Sequence, residues 1–172
     1  VVGSSEGGGF IWTPEGGAVA LPIPVGFETV DPAAINQSGT VVGSVKTGDR
    51  SASFMWTSDA GMQVLGAKRQ SAAVSVNNLG QILANTKKKF DRTVAVLARD
   101  DDSLTKLFPL IRGGRTIGID LNDTGAVAVE CFYSSSTPCI WTKADGMKSI
   151  TGGAGYPTAI DNFGQIVGYN ES

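Results

Sequence analysis

The sequence predicts an all-β chain, a β-propeller-like array of about four four-stranded blades, and three observations carry that expectation. One segment recurs four times, over Ala34–Gly43, Ser75–Ala84, Asp120–Val129 and Ala159–Gly168, and its turn glycines Gly39, Gly80, Gly125 and Gly164 stand 41, 45 and 39 residues apart. A second segment alternates with it: Phe10-Ile11-Trp12-Thr13, Phe54-Met55-Trp56-Thr57 and Cys139-Ile140-Trp141-Thr142, followed in the last two copies by Gly61–Leu65 and Gly146–Ile150. The runs between these signals are short, β-branched or aromatic, and bounded by Gly, Asn, Ser and Pro, which is how short strands read. A four-strand unit of about 42 residues has the length of a propeller blade. A β-solenoid is the alternative architecture.

Each repeat divides into strands a to d. Strand a ends at Asn36, Asn77, Asn122 or Asp161, and strand b is the Val-Val-Gly-like run after the turn. In the Asn-x-x-Gly turn the side chain at the first position bonds to the backbone two residues on, and Gly takes the positive φ that closes a bulged hairpin. That gives Asn36, Gly39, Asn77, Gly80, Asn122, Gly125, Asp161 and Gly164 structural turn roles; a ring of ligand-binding residues is the other reading of the four Asn/Asp positions. Strand c carries the Trp, replaced in the third repeat by Val94–Leu97, and strand d is the Met-x-x-Leu stretch. The whole chain is one repeat domain: a partial blade over 1–21, blades over 33–65, 73–108 and 116–150, and a partial blade over 158–172. Three, twelve and two strands make seventeen, one more than a closed four-bladed ring needs. The chain therefore reads as an arc of a larger ring, or as a ring completed by a partner, with self-association or pairing to missing blades covering the open strand edges. It opens at Val1 with neither Met nor signal peptide, and is read as a processed chain or a piece of a longer one.

Composition excludes several chemistries. The chain has 172 residues, 41% hydrophobic and 17% charged, enough for one domain with a core, and no apolar run of membrane-span length. It contains no histidine. Ser-His-Asp and Cys-His nucleophiles and His-ligated metals are therefore out, and two cysteines cannot complete a structural zinc site. No metal or cofactor is expected.

With these motifs in place, the sequence resembles the HAF-repeat family of bacterial extracellular repeat proteins. The likeness rests on Ser53–Gly66 and Ala34–Gly43 and extends over nearly the whole chain; the chain departs from the family at its eponymous histidine, where Ala52 and Gly8 stand. The resemblance implies a secreted or surface-displayed bacterial protein, sometimes an autotransporter passenger, with no fixed activity.

Cys131 ends one strand and Cys139 begins the next, with seven residues between them, so a disulfide is expected in an oxidising compartment; two isolated buried thiols are the alternative. Trp12, Trp56 and Trp141 recur at equivalent positions and are expected to pack between sheets. Asp91, Asp120 and Asp123 are the carboxylates that a propeller hydrolase would use, but no motif pairs them. Asp100, Asp101 and Asp102 read as a solvated hairpin tip, not a calcium loop. Charges sort by face. Lys46, Arg50, Lys68, Arg69, Lys87, Lys88, Lys89, Arg92, Arg112 and Arg115, ten of the fourteen basic residues, belong to b–c loops and d–a connections, against Glu6, Glu28, Asp31, Asp49 and Asp91. The a–b and c–d turns hold Glu15, Asp59, Asp100 to Asp102, Asp123, Asp145 and Asp161 against Arg99 and Lys143. Phe132, Tyr133 and Tyr156 add aromatic surface to the basic face. The expected function is a non-enzymatic extracellular or cell-surface adhesion module, contacting an anionic glycan or acidic protein surface through that face. Nucleic acid is not expected. A carboxylate hydrolase and a structural or oligomerisation spacer are the alternatives.

Overall fold

The computed structural model describes residues 1–6, 8–66, 70–87, 93–98, 104–150 and 154–170. Among these the chain is all β, with seventeen strands in five small antiparallel sheets, each a simple meander and none closed into a barrel. The first sheet holds β1 (Val2–Ser5), β2 (Gly8–Thr13) and β3 (Gly17–Ala20). The second holds β4 (Thr29–Ile35), β5 (Val41–Thr47), β6 (Arg50–Thr57) and β7 (Gly61–Leu65). The third holds β8 (Ser71–Val76), β9 (Ile82–Lys87), β10 (Thr93–Ala98) and β11 (Leu104–Leu107). The fourth holds β12 (Arg115–Leu121), β13 (Val127–Phe132), β14 (Ser136–Thr142) and β15 (Gly146–Ser149). A final hairpin joins β16 (Tyr156–Ile160) to β17 (Ile166–Tyr169). No helix among the described residues is long and apolar enough to cross a membrane.

The first strand of each repeated sheet begins earlier than the blade limits 33, 73, 116 and 158 suggest, at Thr29, Ser71, Arg115 and Tyr156. Pro32 and Pro157 read as strand breakers, yet both lie on first strands, which are sheet edges and tolerate a missing N–H. Each of these strands carries a register shift at one equivalent place, between Pro32 and Ala34, Ala73 and Ser75, Gly118 and Asp120, and Pro157 and Ala159. The residue before each bulge is matched in volume to its partner on the second strand: Pro32 and Pro157 face Gly43 and Gly168, Ala73 faces Ala84, and Gly118 faces Val129. A Cβ on Gly43 would overlap the Asp31 carbonyl, so the large residue can stand on only one side of the pair.

The core consists of four slabs, each between two successive sheets. The first strand of each later sheet lies against the first strands of the sheet before it: β4 on β1 and β2, β8 on β4, β5 and β6, β12 on β8, β9 and β10, and β16 on β12, β13 and β14. Strand alternation then decides which neighbour a side chain meets. Val41, Phe54 and Trp56 face back to the first sheet, while Val42, Met55 and Leu65 face forward to the third. Trp141 likewise faces back, against Leu83 and Leu97 of the third sheet, and is only 8% exposed. Trp12 corrects the expectation of uniform packing, since it is 43% exposed. Its sheet comes first, and no earlier sheet covers that face among the described residues. The third repeat is also corrected by two residues. Trp56 pairs with Val41 and Trp141 with Val127, and the matching partner of Ile82 is Ala98, so the tryptophan position falls on Ala98 rather than within Val94–Leu97. A two-residue displacement keeps every side chain on its own face of the sheet.

Candidate functional site

The four Asn/Asp turns come together at one end of the sheets. In each, the glycine N–H bonds to the Asn or Asp carbonyl and the first residue's N–H bonds across the hairpin, for example Gly125 to Asn122 and Asn122 to Ala126, both at 3.1 Å. The turn glycine sits at φ 80° in Gly39 and 81° in Gly164, the left-handed region where a Cβ would be strained. The side-chain oxygen at the first position accepts backbone N–H groups of its own turn: Asn36 from Thr40, Asn77 from Gln81, Asn122 from Ala126, and Asp161 from Gln165. The amide nitrogen reaches the following repeat. Asn36 donates to the Asn77 carbonyl, Asn77 to that of Asn122, and Asn122 to that of Asp161, at 2.8–3.0 Å.

A second row runs beside it, with Gln37 N–H donating to Asn78, Asn78 N–H to Asp123, and Asp123 N–H to Asn162. The Asn78 N–H and amide, with the Asn162 amide, hold the Asp123 carboxyl below its ordinary range by bonding its charged form. The four turns together line an opening of about 420 Å³. Its polar groups are largely spent on one another, which favours a structural role for the turn glycines and the Asn/Asp row.

Asp120 and Asp123, two of the three carboxylates weighed for hydrolysis, are engaged as well. Asp120 accepts from Ser75 Oγ and the Leu121 N–H with one oxygen and from the Ile160 N–H with the other, tying three first strands together. Asp91 lies outside the described residues, as do Arg99 and Asp100 to Asp102. No cluster of three His, Cys, Asp or Glu suited to a metal ion occurs among the described residues.

Because the turns are bonded in a row, the second to fifth sheets point the same way, and their b–c loops lie at the opposite end. Of the residues read as a basic face, Lys46, Arg50, Lys87, Arg112, Arg115, Tyr133 and Tyr156 are described; Lys68, Arg69, Lys88, Lys89 and Arg92 lie outside the described residues. Lys46 is ion-paired with Asp31 across the second sheet. Arg50 and Arg112 are exposed. Arg115 is half-buried; its guanidinium carbon stands 4.0 Å above the Phe132 ring, and its Nε is buried without an acceptor among the described residues. Tyr156 stacks on Tyr169 with ring centroids 5.2 Å apart.

The structure places a disulfide between Cys131 and Cys139, with Cα atoms 6.2 Å apart, on diagonal positions of β13 and β14. The connecting loop is only residues 133–135, shorter than the spacing of the cysteines suggests, because both lie inside their strands. Tyr133 projects from this loop and is 62% exposed. Beside it the connection from β11 to β12 presents Phe108, Leu110 and Ile111, all exposed. Between loop and connection lies a cavity of about 220 Å³, with Cys131 and Phe132 in its wall. Sequence reading singled out the charges here and missed Phe108, Leu110, Ile111 and Tyr169. The apolar run Leu107–Ile111, which continues past the end of a strand into a connection, was the available signal.

Comparison with protein-family models, with curated proteins and with solved structures gives no significant match.

Proposed function

We propose that this chain is a non-enzymatic binding module, a propeller-like arc of HAF-type repeats on a bacterial surface or secreted from it, whose loop end contacts an anionic ligand. The observation that carries this reading is the contrast between the two ends. At the turn end the polar groups satisfy one another. At the loop end Phe108, Leu110, Ile111 and Tyr133 lie exposed near Arg112 and Arg115, whose Nε has no acceptor among the described residues. Exposed apolar side chains grouped on one surface and edged by charge mark a contact surface, and loops on a rigid scaffold are where binding concentrates. The described loop-end charges nearly balance. The excess of positive charge comes from Lys68, Arg69, Lys88, Lys89 and Arg92, which the sequence puts in connections between strands that end there. Preorganised sheets reduce the ordering entropy lost on binding. The convergence of four turns on one opening supports a curved arc over a straight stack.

The test is retention on a sulfated-glycan column over a salt gradient, beside a cation exchanger matched in charge density. Stronger retention on the glycan, lost when Lys87, Lys88 and Lys89 are changed together to Glu, is expected. Retention no better than on the exchanger would reject an anion-specific loop end.

A further inference from the structure

We propose that the cavity between the β13–β14 loop and the β11–β12 connection is a subsite for a single planar aromatic ring carrying an acid group, such as a benzenesulfonate or benzoate moiety. The inference deepens the loop-end reading above and rests on it. Size sets the ring count. A cavity of about 150 Å³ accommodates one benzene, whereas sites for whole drug-sized ligands start at about 300 Å³. At about 220 Å³ this one holds one substituted ring and not two fused to a long tail.

Lining sets the ring's character. Leu110, Ile111, Phe132 and Tyr133 contribute apolar and aromatic surface, and Leu110, Ile111 and Tyr133 are exposed in the protein as it stands. A ring inserted among them removes apolar area from water on both partners and can stack on Tyr133 or Phe132 in offset or edge-to-face geometry.

Charge sets the acid. Arg112 lies in the connection between two wall residues, Ile111 and Gly114, and is exposed. Arg115 holds its guanidinium over the Phe132 ring, and Phe132 is itself cavity wall. The Arg115 Nε–H is a buried donor without an acceptor among the described residues, one position past the wall residue Gly114. Arginine also presents the planar fork that suits carboxylate and sulfonate oxygens. Among the described residues no carboxylate lines the cavity to oppose an anion. The disulfide at Cys131 ties the two strands that carry the loop, so the wall is covalently held before any ligand arrives.

The experiment titrates benzenesulfonate, with benzyl alcohol as the neutral ring of similar size, into the disulfide-intact protein, followed by amide chemical shifts. Saturable shifts confined to residues 108–115 and 131–137 are expected, with benzyl alcohol bound at least about five-fold more weakly, as loss of a charge-assisted hydrogen bond implies. Arg112→Glu is expected to weaken benzenesulfonate at least about five-fold. Ser134→Trp, at an exposed wall position, fills the cavity and abolishes the localised shifts while leaving the rest of the spectrum unchanged. Shifts scattered over the surface, equal binding of the neutral ring, or benzenesulfonate binding that survives Ser134→Trp would each overturn the proposal. A protein retained by the sulfated glycan that ignores benzenesulfonate loses the subsite and keeps the loop-end reading. One that binds benzenesulfonate at this cavity but is not retained loses the glycan reading alone.

Discussion

Asn122 does two jobs with one amide, and they can be separated by substitution. Its oxygen accepts the N–H groups of Thr124 and Ala126 and the Thr124 hydroxyl, and its nitrogen donates to the Asp161 carbonyl. The residue is 4% exposed, so water does not replace what is removed. Asn122→Ala is expected to lose about 2–4 kcal/mol, read as a lowered urea midpoint, since several buried groups lose partners. Asn122→Asp keeps the turn acceptor but sets a buried carboxylate oxygen against the Asp161 carbonyl in place of the donated amide, and is expected to lose at least as much. A loss for Asn122→Asp well below that for Asn122→Ala would place the effect inside the turn and little of it in the row.

Asp123 adds a pH signature. Its carboxyl titrates below the ordinary 3.8 because the Asn78 N–H, then the Asn78 and Asn162 amides, bond the charged form. A group with a depressed folded pKa stabilises above its unfolded value, and that stabilisation is lost as pH falls through the folded value. Urea midpoints are therefore expected to fall more steeply below about pH 4 in the parent than in Asp123→Ala, and to run parallel above about pH 5. Parallel curves throughout would mean the row carries no charge-dependent stability. Asn-x-x-Gly spacing made the turns legible. The cross-repeat donations were not legible, because a local pattern does not say which way the second amide hydrogen points.

Within the elements, the tryptophans report which face of a sheet is covered. Trp141 packs on the third sheet and Trp12 has no sheet behind it among the described residues. Trp141→Ala is expected to cost about 3–5 kcal/mol, the range for emptying a buried aromatic site, and Trp12→Ala to stay within about 1 kcal/mol. Thermal or urea unfolding of the two variants decides it, and equal costs would show that Trp12 is buried in solution by something else. The sequence made strand number, order and phase readable, because alternation and turn glycines are local. It misplaced the strand starts at Thr29 and Tyr156, where edge position excuses Pro32 and Pro157. It misplaced the tryptophan equivalent at Ala98 because the third repeat offers no aromatic to anchor the alignment, and only the pairing of Ala98 with Ile82 restores it. The exposed cluster at Phe108, Leu110 and Ile111 escaped because an apolar run next to a strand reads as core until its exposure is known.

At the scale of the molecule, a curved array and a straight one predict different spacings between repeats. Each sheet packs on the one before through its first strand, at four successive interfaces. The turns of the second through fifth sheets all line one opening, as a bend toward a common centre would bring about. In a propeller-like arc the first strands crowd inward while the fourth strands, such as β7 and β15, fan apart. In a straight stack both rows would keep equal spacing. Paired spin labels measure this directly. Labels at Gln37 and Asp123 report two turns two repeats apart, and labels at Gln63 and Lys148 report the corresponding outer strands; all four positions lie on turns or outer strands. The outer pair is expected to be clearly the longer distance. Equal distances would remove the arc and make the chain a stacked array, and the loop end would then be a flat row of hairpins, leaving the cavity beside Tyr133 as a local feature of one interface instead of one position on a curved face.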